Sequence, residues 1–204
     1  NEILKTLNLT PEQFKKIDSH ITALKPWKGG DALTLLYIDW IQKYPFNKPL
    51  PQGNVSLEHA RAQLDATHYG LENIKENILD FLAGLQRRQI SQDNSFTKTL
   101  CFSGGPGIGK TTFSKSIAAS LGRPFARIAL ESLQTLKGGM GEHEMFGDGP
   151  GALGKAICEA GSQGAVILLD EIDKACPKVQ CQLLEILDPA QNKTFRDSFL
   201  GLDL

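Results

Sequence analysis

Eight consecutive residues constrain this chain more than any others. Gly104-Gly105-Pro106-Gly107-Ile108-Gly109-Lys110-Thr111 has the G-x-x-x-x-G-K-[ST] spacing of a phosphate-binding loop. Its glycines let the backbone turn tightly and bring successive N–H groups against an anion. Lys110 can reach the outer phosphates, and the Thr111 hydroxyl can sit on Mg²⁺. Thr112, next in the first helical turn, joins the nucleotide-contacting set. The flanks agree with the loop. The apolar run Thr99–Phe102 predicts a buried strand before it. Phe113, Ile117, Ala118 and Leu121 fall at helical spacing after it, and Gly122 and Pro124 supply a stop. A helix N-terminus placed there adds partial positive charge where phosphate would lie.

A second element answers the first. Ala165-Val166-Ile167-Leu168-Leu169 is a continuous apolar run, as in a parallel strand buried on both faces, and it ends in Asp170-Glu171. Ligands of such sheets bind at the carboxyl ends of the strands. Asp170 is expected to hold Mg²⁺ or orient its water. Glu171 is expected to accept a proton from an attacking water. An acidic pair after a strand can also simply cap the next helix, but its pairing with the loop two strand–helix units earlier favours a Mg–ATP site.

The rest of the chain supplies the frame. Thr10-Pro11-Glu12-Gln13 is a helix start with a capping box. Phe14, Ile17, Ile21 and Leu24 mark one face, and Pro26 closes it. A second helix opens at Gly30-Asp31, turns Leu33, Leu36, Tyr37, Trp40 and Ile41 inward, and stops at Pro45. Residues 45–53, with three prolines, read as a stiff connector. Ser56 caps a third helix through Leu57, Ala60 and Leu64. His68-Tyr69-Gly70 is a sharp turn, and a long helix carrying Ile74, Ile78, Phe81, Leu82 and Leu85 runs out near Arg87-Arg88. Beyond the loop helix come a strand over 125–130, a glycine-rich loop over 137–151, a short helix from Ala152 to Ala160, and a helix from Lys178 to Leu187. Alternating strands and helices specify an α/β fold with a parallel sheet. The expected organisation is a helical segment and linker over 1–53 and a nucleotide-binding α/β unit over 54–204.

Composition narrows the function classes. The net charge is −1, so no broad basic field argues for nucleic acid or an anionic membrane surface. No apolar stretch approaches the roughly 18–20 residues that span a bilayer. Cys101, Cys158, Cys176 and Cys181 lack zinc-site spacing and read as free thiols in a reducing compartment. That suits the bacterial cytoplasm first, with the mitochondrial matrix or the peroxisome as alternatives. The chain begins at Asn1 and ends in an apolar pattern at Leu204, and it reads as a piece of a longer protein. Arg123, Arg127 and Arg196 are arginine-finger candidates by charge alone.

Several strings together carry a family resemblance. They are the phosphate loop, Leu-Leu-Asp-Glu-Ile-Asp-Lys (168–174), Leu-Leu-Glu-Ile-Leu-Asp-Pro-Ala-Gln-Asn (183–192), Asp-Ala-Thr-His-Tyr-Gly-Leu-Glu (65–72) and Tyr-Ile-Asp-Trp-Ile (37–41) followed by Tyr44-Pro45-Phe46. They resemble the Lon ATP-dependent proteases, within the AAA+ class of P-loop NTPases. The resemblance implies an AAA+ parallel sheet flanked by helices, preceded by a small all-α segment. It implies an ATP- and Mg-dependent ATPase working as a homo-hexamer that unfolds and threads protein substrates. It also implies that His68, Tyr69 and Gly70 lie near the adenine and that Met145 and Phe146 belong to a substrate-gripping pore loop. The family's aromatic–aliphatic order is reversed at those two positions. The proteolytic Ser-Lys pair of the family has no counterpart in this sequence. A non-proteolytic AAA+ remodelling chaperone and, less favoured, a nucleic-acid motor or loader are the alternative readings.

Overall fold

The computed structural model of the chain describes residues 7, 9–26, 30–48, 56–91, 99–133, 149–188 and 195–202. Helix α1 (Pro11–Leu24) begins with a full capping box. The Thr10 hydroxyl accepts from the Gln13 N–H at 3.2 Å, and the Gln13 side chain accepts from the Thr10 N–H at 2.8 Å. Helix α2 (Gly30–Lys43) has Asp31 in its first turn and Lys43 in its last, the charge placement that suits the helix dipole. Helix α3 (Leu57–Thr67) is capped by Ser56. Helix α4 runs Glu72–Ser91, past the expected end near Arg88. No proline or glycine there interrupts the backbone hydrogen bonding.

Helix α5 (Lys110–Ser120) leaves the phosphate-loop sequence directly. Strand β1 (Phe125–Ala129), helix α6 (Ala152–Ala160), strand β2 (Val166–Asp170) and helix α7 (Pro177–Leu187) follow. β1 and β2 pair in parallel, from Phe125 opposite Val166 to Ala129 opposite Asp170. With α6 as the crossover this is a βαβ unit, and the α/β P-loop fold with preceding helices is as expected. One local expectation differs. Thr99–Phe102 forms no strand among the described residues, where the sheet has only β1 and β2. The segment is held by side chains instead: Leu100 and Phe102 pack on the cluster containing Leu82, Phe113 and Ile117. Apolar character predicted a buried strand, but only Leu100 and Phe102 are half-buried while Thr99 and Cys101 are exposed, and a strand also needs a neighbour to bond to.

Among the described residues, three apolar clusters organise the structure. The first joins α1 and α2 (Ile17, Ile21, Leu24, Tyr37, Ile41) to Ile157 and Cys158 of α6 and to Phe199, Leu200 and Leu202. The second joins α3, α4 and α5 through Ala60, Leu64, Ile78, Leu82, Phe113 and Ile117. The third lies under β1 and α7, with Ile128, Leu130, Val179, Leu183 and Phe195. The second and third fix the phosphate loop and the acidic strand end on one scaffold, because α5 packs against both strands.

Candidate functional site

The loop Gly104–Thr111 enters α5 without a side-chain cap. Gly109 is the N-cap, at φ 90° and ψ 15°, and no side chain bonds the first-turn amides. A helix start left open in this way presents N–H donors and the positive end of the dipole to an anion. Gly107, at φ +77°, and Gly109 occupy the left-handed region that other residues enter at a cost. The Lys110 ammonium donates to the loop's own carbonyls, Gly104 O at 2.8 Å and Gly105 O at 2.7 Å. The cation therefore sits over the mouth of the loop. Pro106 and Ile108 are exposed, Thr111 is half-buried and Thr112 is exposed at the start of α5.

The acidic end of β2 is wired into its surroundings. The Asp170 carboxylate accepts from Arg127 Nε at 2.8 Å and pairs with Nη2 at 2.7 Å through the same oxygen. Its other oxygen accepts the Glu171 N–H at 3.1 Å. Arg127, a finger candidate by charge, is thus committed to its neighbouring strand. Glu171 lies in the left-handed region at φ 58°, where the chain leaves the strand for the short turn Ile172–Lys174. Its side chain caps nothing, so capping does not account for it. The Glu131 carboxyl hydrogen-bonds it, and the Lys174 ammonium lies 3.2 Å away. Glu131 first and Lys174 second hold Glu171 below the ordinary carboxylate range, while the hydrogen bond to Glu171, and then the Glu171 charge, push Glu131 up. An ionised Glu171 is the form that can take a proton. Sequence reasoning missed Glu131; only the βαβ crossover brings it beside a residue forty positions later. Lys174 was legible within the acidic string, but its role was not.

His68, Tyr69 and Gly70 form the corner between α3 and α4. The three diverge in the structure. His68 is 8% exposed and stacks on Phe113 of α5, with ring centroids 3.5 Å apart and planes at 9°. Tyr69 is fully exposed. Gly70 and Leu71 both take positive φ, at 66° and 59°, and this turns the chain into α4. Leu71, Glu72, Asn73 and Ile74 line a shallow depression at the start of α4. The corner is pinned by Lys75, whose ammonium is 2.6 Å from Asp65 and 3.6 Å from Glu72, and by an Arg61–Glu72 pair. The Lys75 hydrogen bond, ahead of the other charges, lowers the Asp65 pKa. Met145 and Phe146 lie outside the described residues. Among the described residues no cluster of three or more His, Cys, Asp or Glu side chains could hold a metal by itself, and no helix is long and apolar enough to cross a membrane.

Comparison with known proteins agrees with this geometry. The sequence model of the ATPase family associated with various cellular activities (AAA) matches residues 100–201. Lon protease 1 of Syntrophotalea carbinolica is 38% identical across 98% of this chain and 25% of its own length. Lon protease of Aquifex aeolicus is 37% identical across 94% of the chain and 25% of its own length. The mitochondrial Lon protease homolog of Phaeodactylum tricornutum is 35% identical across 98% and 22%. The chain spans about a quarter of the length of these relatives.

Proposed function

Because the chain belongs to the AAA family of ATPases, we propose that it is the nucleotide-binding and hydrolysing module of a Lon-like ATP-dependent protease. One observation carries the reading. The uncapped start of α5 bears the phosphate-loop sequence, and α5 packs against β2, the strand that ends in Asp170-Glu171. In this reading Gly104 to Thr112 take the phosphates through their N–H groups, the Lys110 ammonium and the threonine hydroxyls. The exposed Tyr69, with Gly70, takes the base.

Thr111 and Asp170 would hold Mg²⁺. An all-oxygen pair suits a hard cation, although Arg127 already occupies one Asp170 oxygen, which favours contact through bound water. The ion supplies charge neutralisation on the phosphates as they are cleaved. Glu171 accepts the proton of the attacking water, and Glu131 and Lys174 keep its carboxylate ionised and in place.

In the longer protein, hydrolysis would move neighbouring subunits of a homo-hexamer and drive unfolded or damaged proteins past a loop containing Met145 and Phe146. Residues 1–53 would form the connecting helical segment and 54–204 the motor unit. A bacterial cytoplasmic setting is the preferred one, consistent with mostly bacterial relatives. By itself the chain should hydrolyse slowly, since an arginine finger contributed by a neighbour is worth about 10³–10⁵ in rate.

The test is direct. Fluorescent ATP should bind this chain and fail to bind Lys110→Ala. In the longer protein, Glu171→Gln should keep its affinity while turnover falls by about 10²–10⁴. A chain that binds no nucleotide sinks the reading, and undiminished turnover in Glu171→Gln removes Glu171 from its role.

A further inference from the structure

The buried imidazole of His68 touches the phosphate loop from behind. Its Nε2 lies 3.3 Å from the Gly109 carbonyl oxygen, and its Nδ1 lies 2.8 Å from Thr67 Oγ1. Thr67 Oγ1 is in turn 3.0 Å from Ser116 Oγ of α5 and 2.9 Å from the Gln63 carbonyl. The Gly109 carbonyl can only accept, so Nε2 carries the proton. In neutral imidazole Nδ1 is then an acceptor; the single Thr67 hydroxyl proton is shared between it and the Gln63 carbonyl, and Thr67 Oγ1 can accept from Ser116. The ring is also clamped face to face on Phe113. A methyl group at Gly109 would meet Nε2 at 2.8 Å, so ring and loop backbone are in close contact.

This contact has a consequence on the far side of the same peptide. The Gly109 carbonyl accepts both the Phe113 N–H, at 2.9 Å, and the imidazole. The peptide unit is planar and trans, so its C=O and its N–H point in opposite directions. Pinning the Gly109 oxygen inward aims the Lys110 N–H outward, toward the mouth of the loop. A donor held in advance costs no reorganisation when an anion arrives.

We infer that His68 is a positioning residue of the phosphate loop: it fixes the Gly109–Lys110 peptide from beneath and so pre-aims the Lys110 amide at bound phosphate. The assignment rests on the nucleotide-binding reading above, and it gives His68 a role other than contact with the base. One turn then serves both ends of the ligand, with Tyr69 outside and His68 inside. Occupancy of the loop is thereby coupled to the α3–α4 corner.

The test is titration of the whole 204-residue chain with fluorescent mant-ADP, together with the amide NMR signal of Lys110. His68→Phe keeps a ring against Phe113 and removes both nitrogens. We expect an unchanged thermal midpoint, affinity weaker by roughly five- to tenfold, the worth of one hydrogen bond, and a displaced Lys110 amide nitrogen, which is bonded to the carbonyl carbon that lost its donor. Wild-type affinity with an unmoved Lys110 signal overturns the proposal. Should His68→Phe fold poorly, Thr67→Val leaves the imidazole and its stack intact and removes the Nδ1 partner that holds the ring in its orientation. Weakened binding with a shifted Lys110 amide supports the role, and no change in either overturns it. A wild-type chain that ignores mant-ADP defeats the nucleotide reading alone, because the Lys110 signal still reports whether His68 sets that peptide.

Discussion

At Gly109 the backbone has no room for a side chain and the wrong φ for one. The residue sits at φ +90°, and an added Cβ would press on His68. Gly109→Ala should therefore cost about 1–3 kcal/mol from the left-handed conformation alone, seen as a lower urea midpoint. It should also weaken nucleotide binding more than that loss of stability explains, because the intruding methyl displaces the imidazole from the Gly109 carbonyl. A variant that binds as tightly as wild type would show that the pose of this peptide is unimportant. Glu171 shares the left-handed region at φ 58° without being glycine. Its strain is compensated by a carboxylate delivered to Glu131 and Lys174 rather than along the strand axis, an arrangement expected where function sets the conformation.

Among the elements, the short segment 195–202 ties α6 to α1 and α2. Asp197 is fully buried, and its carboxylate accepts from Gly151 N at 2.8 Å, Phe199 N at 2.9 Å and Leu200 N at 2.8 Å. It thus caps α6, whose own N-cap Gly151 has no side chain to do so. Burial pushes its pKa up, and the three N–H donors pull it back. The same segment meets α1 and α2: Tyr37 donates to Leu200 O at 3.1 Å and stacks on His20, with centroids 4.7 Å apart. Burial first, then the positive charge of Arg196, lowers the His20 pKa below its ordinary 6.5. The unfolded chain therefore takes up this proton at a pH where the folded chain does not. Stability is unaffected well above pH 6.5 and falls as the pH drops below that value. Urea midpoints at successive pH values should decline in this window for wild type and decline less for His20→Phe, which keeps the stack. Identical slopes would remove His20 as the cause.

For the molecule as a whole, α1 and α2 share a core with α6 and the segment 195–202. Ile17, Tyr37 and Ile41 bury themselves against Ile157, Phe199 and Leu200. Trp40 lies against Gly149, which the lack of a Cβ permits. A chain beginning at Ser56 would expose that apolar surface. Each such side chain contributes about 1.5–3 kcal/mol when buried, so the shortened chain should melt at least about 10 °C lower and bind a hydrophobic dye. An unchanged melting temperature would mean that the two parts fold independently.

The sequence by itself determined the local elements and the chemistry of the ends that matter. Thr10 with Gln13, the glycines around Lys110 and the apolar run into Asp170 act within a few residues, so spacing alone identified a capped helix, an open helix start and an acidic strand end. Only tertiary structure decided what those ends touch. Arg127 reaches Asp170 because parallel pairing sets their register, and Glu131 reaches Glu171 because α6 returns the chain. His68 reaches Gly109 because α3 packs on α5, and Asp197 bonds the N-cap amide of α6, 46 residues earlier. Thr99–Phe102 marks the same boundary from the other side: apolar character foretold a buried strand, but only Leu100 and Phe102 pack inward, each half-buried, and strand formation required a neighbour. Hydrogen bonds and charges act over a few ångströms of space, so their partners became visible only once the hydrophobic faces had assembled.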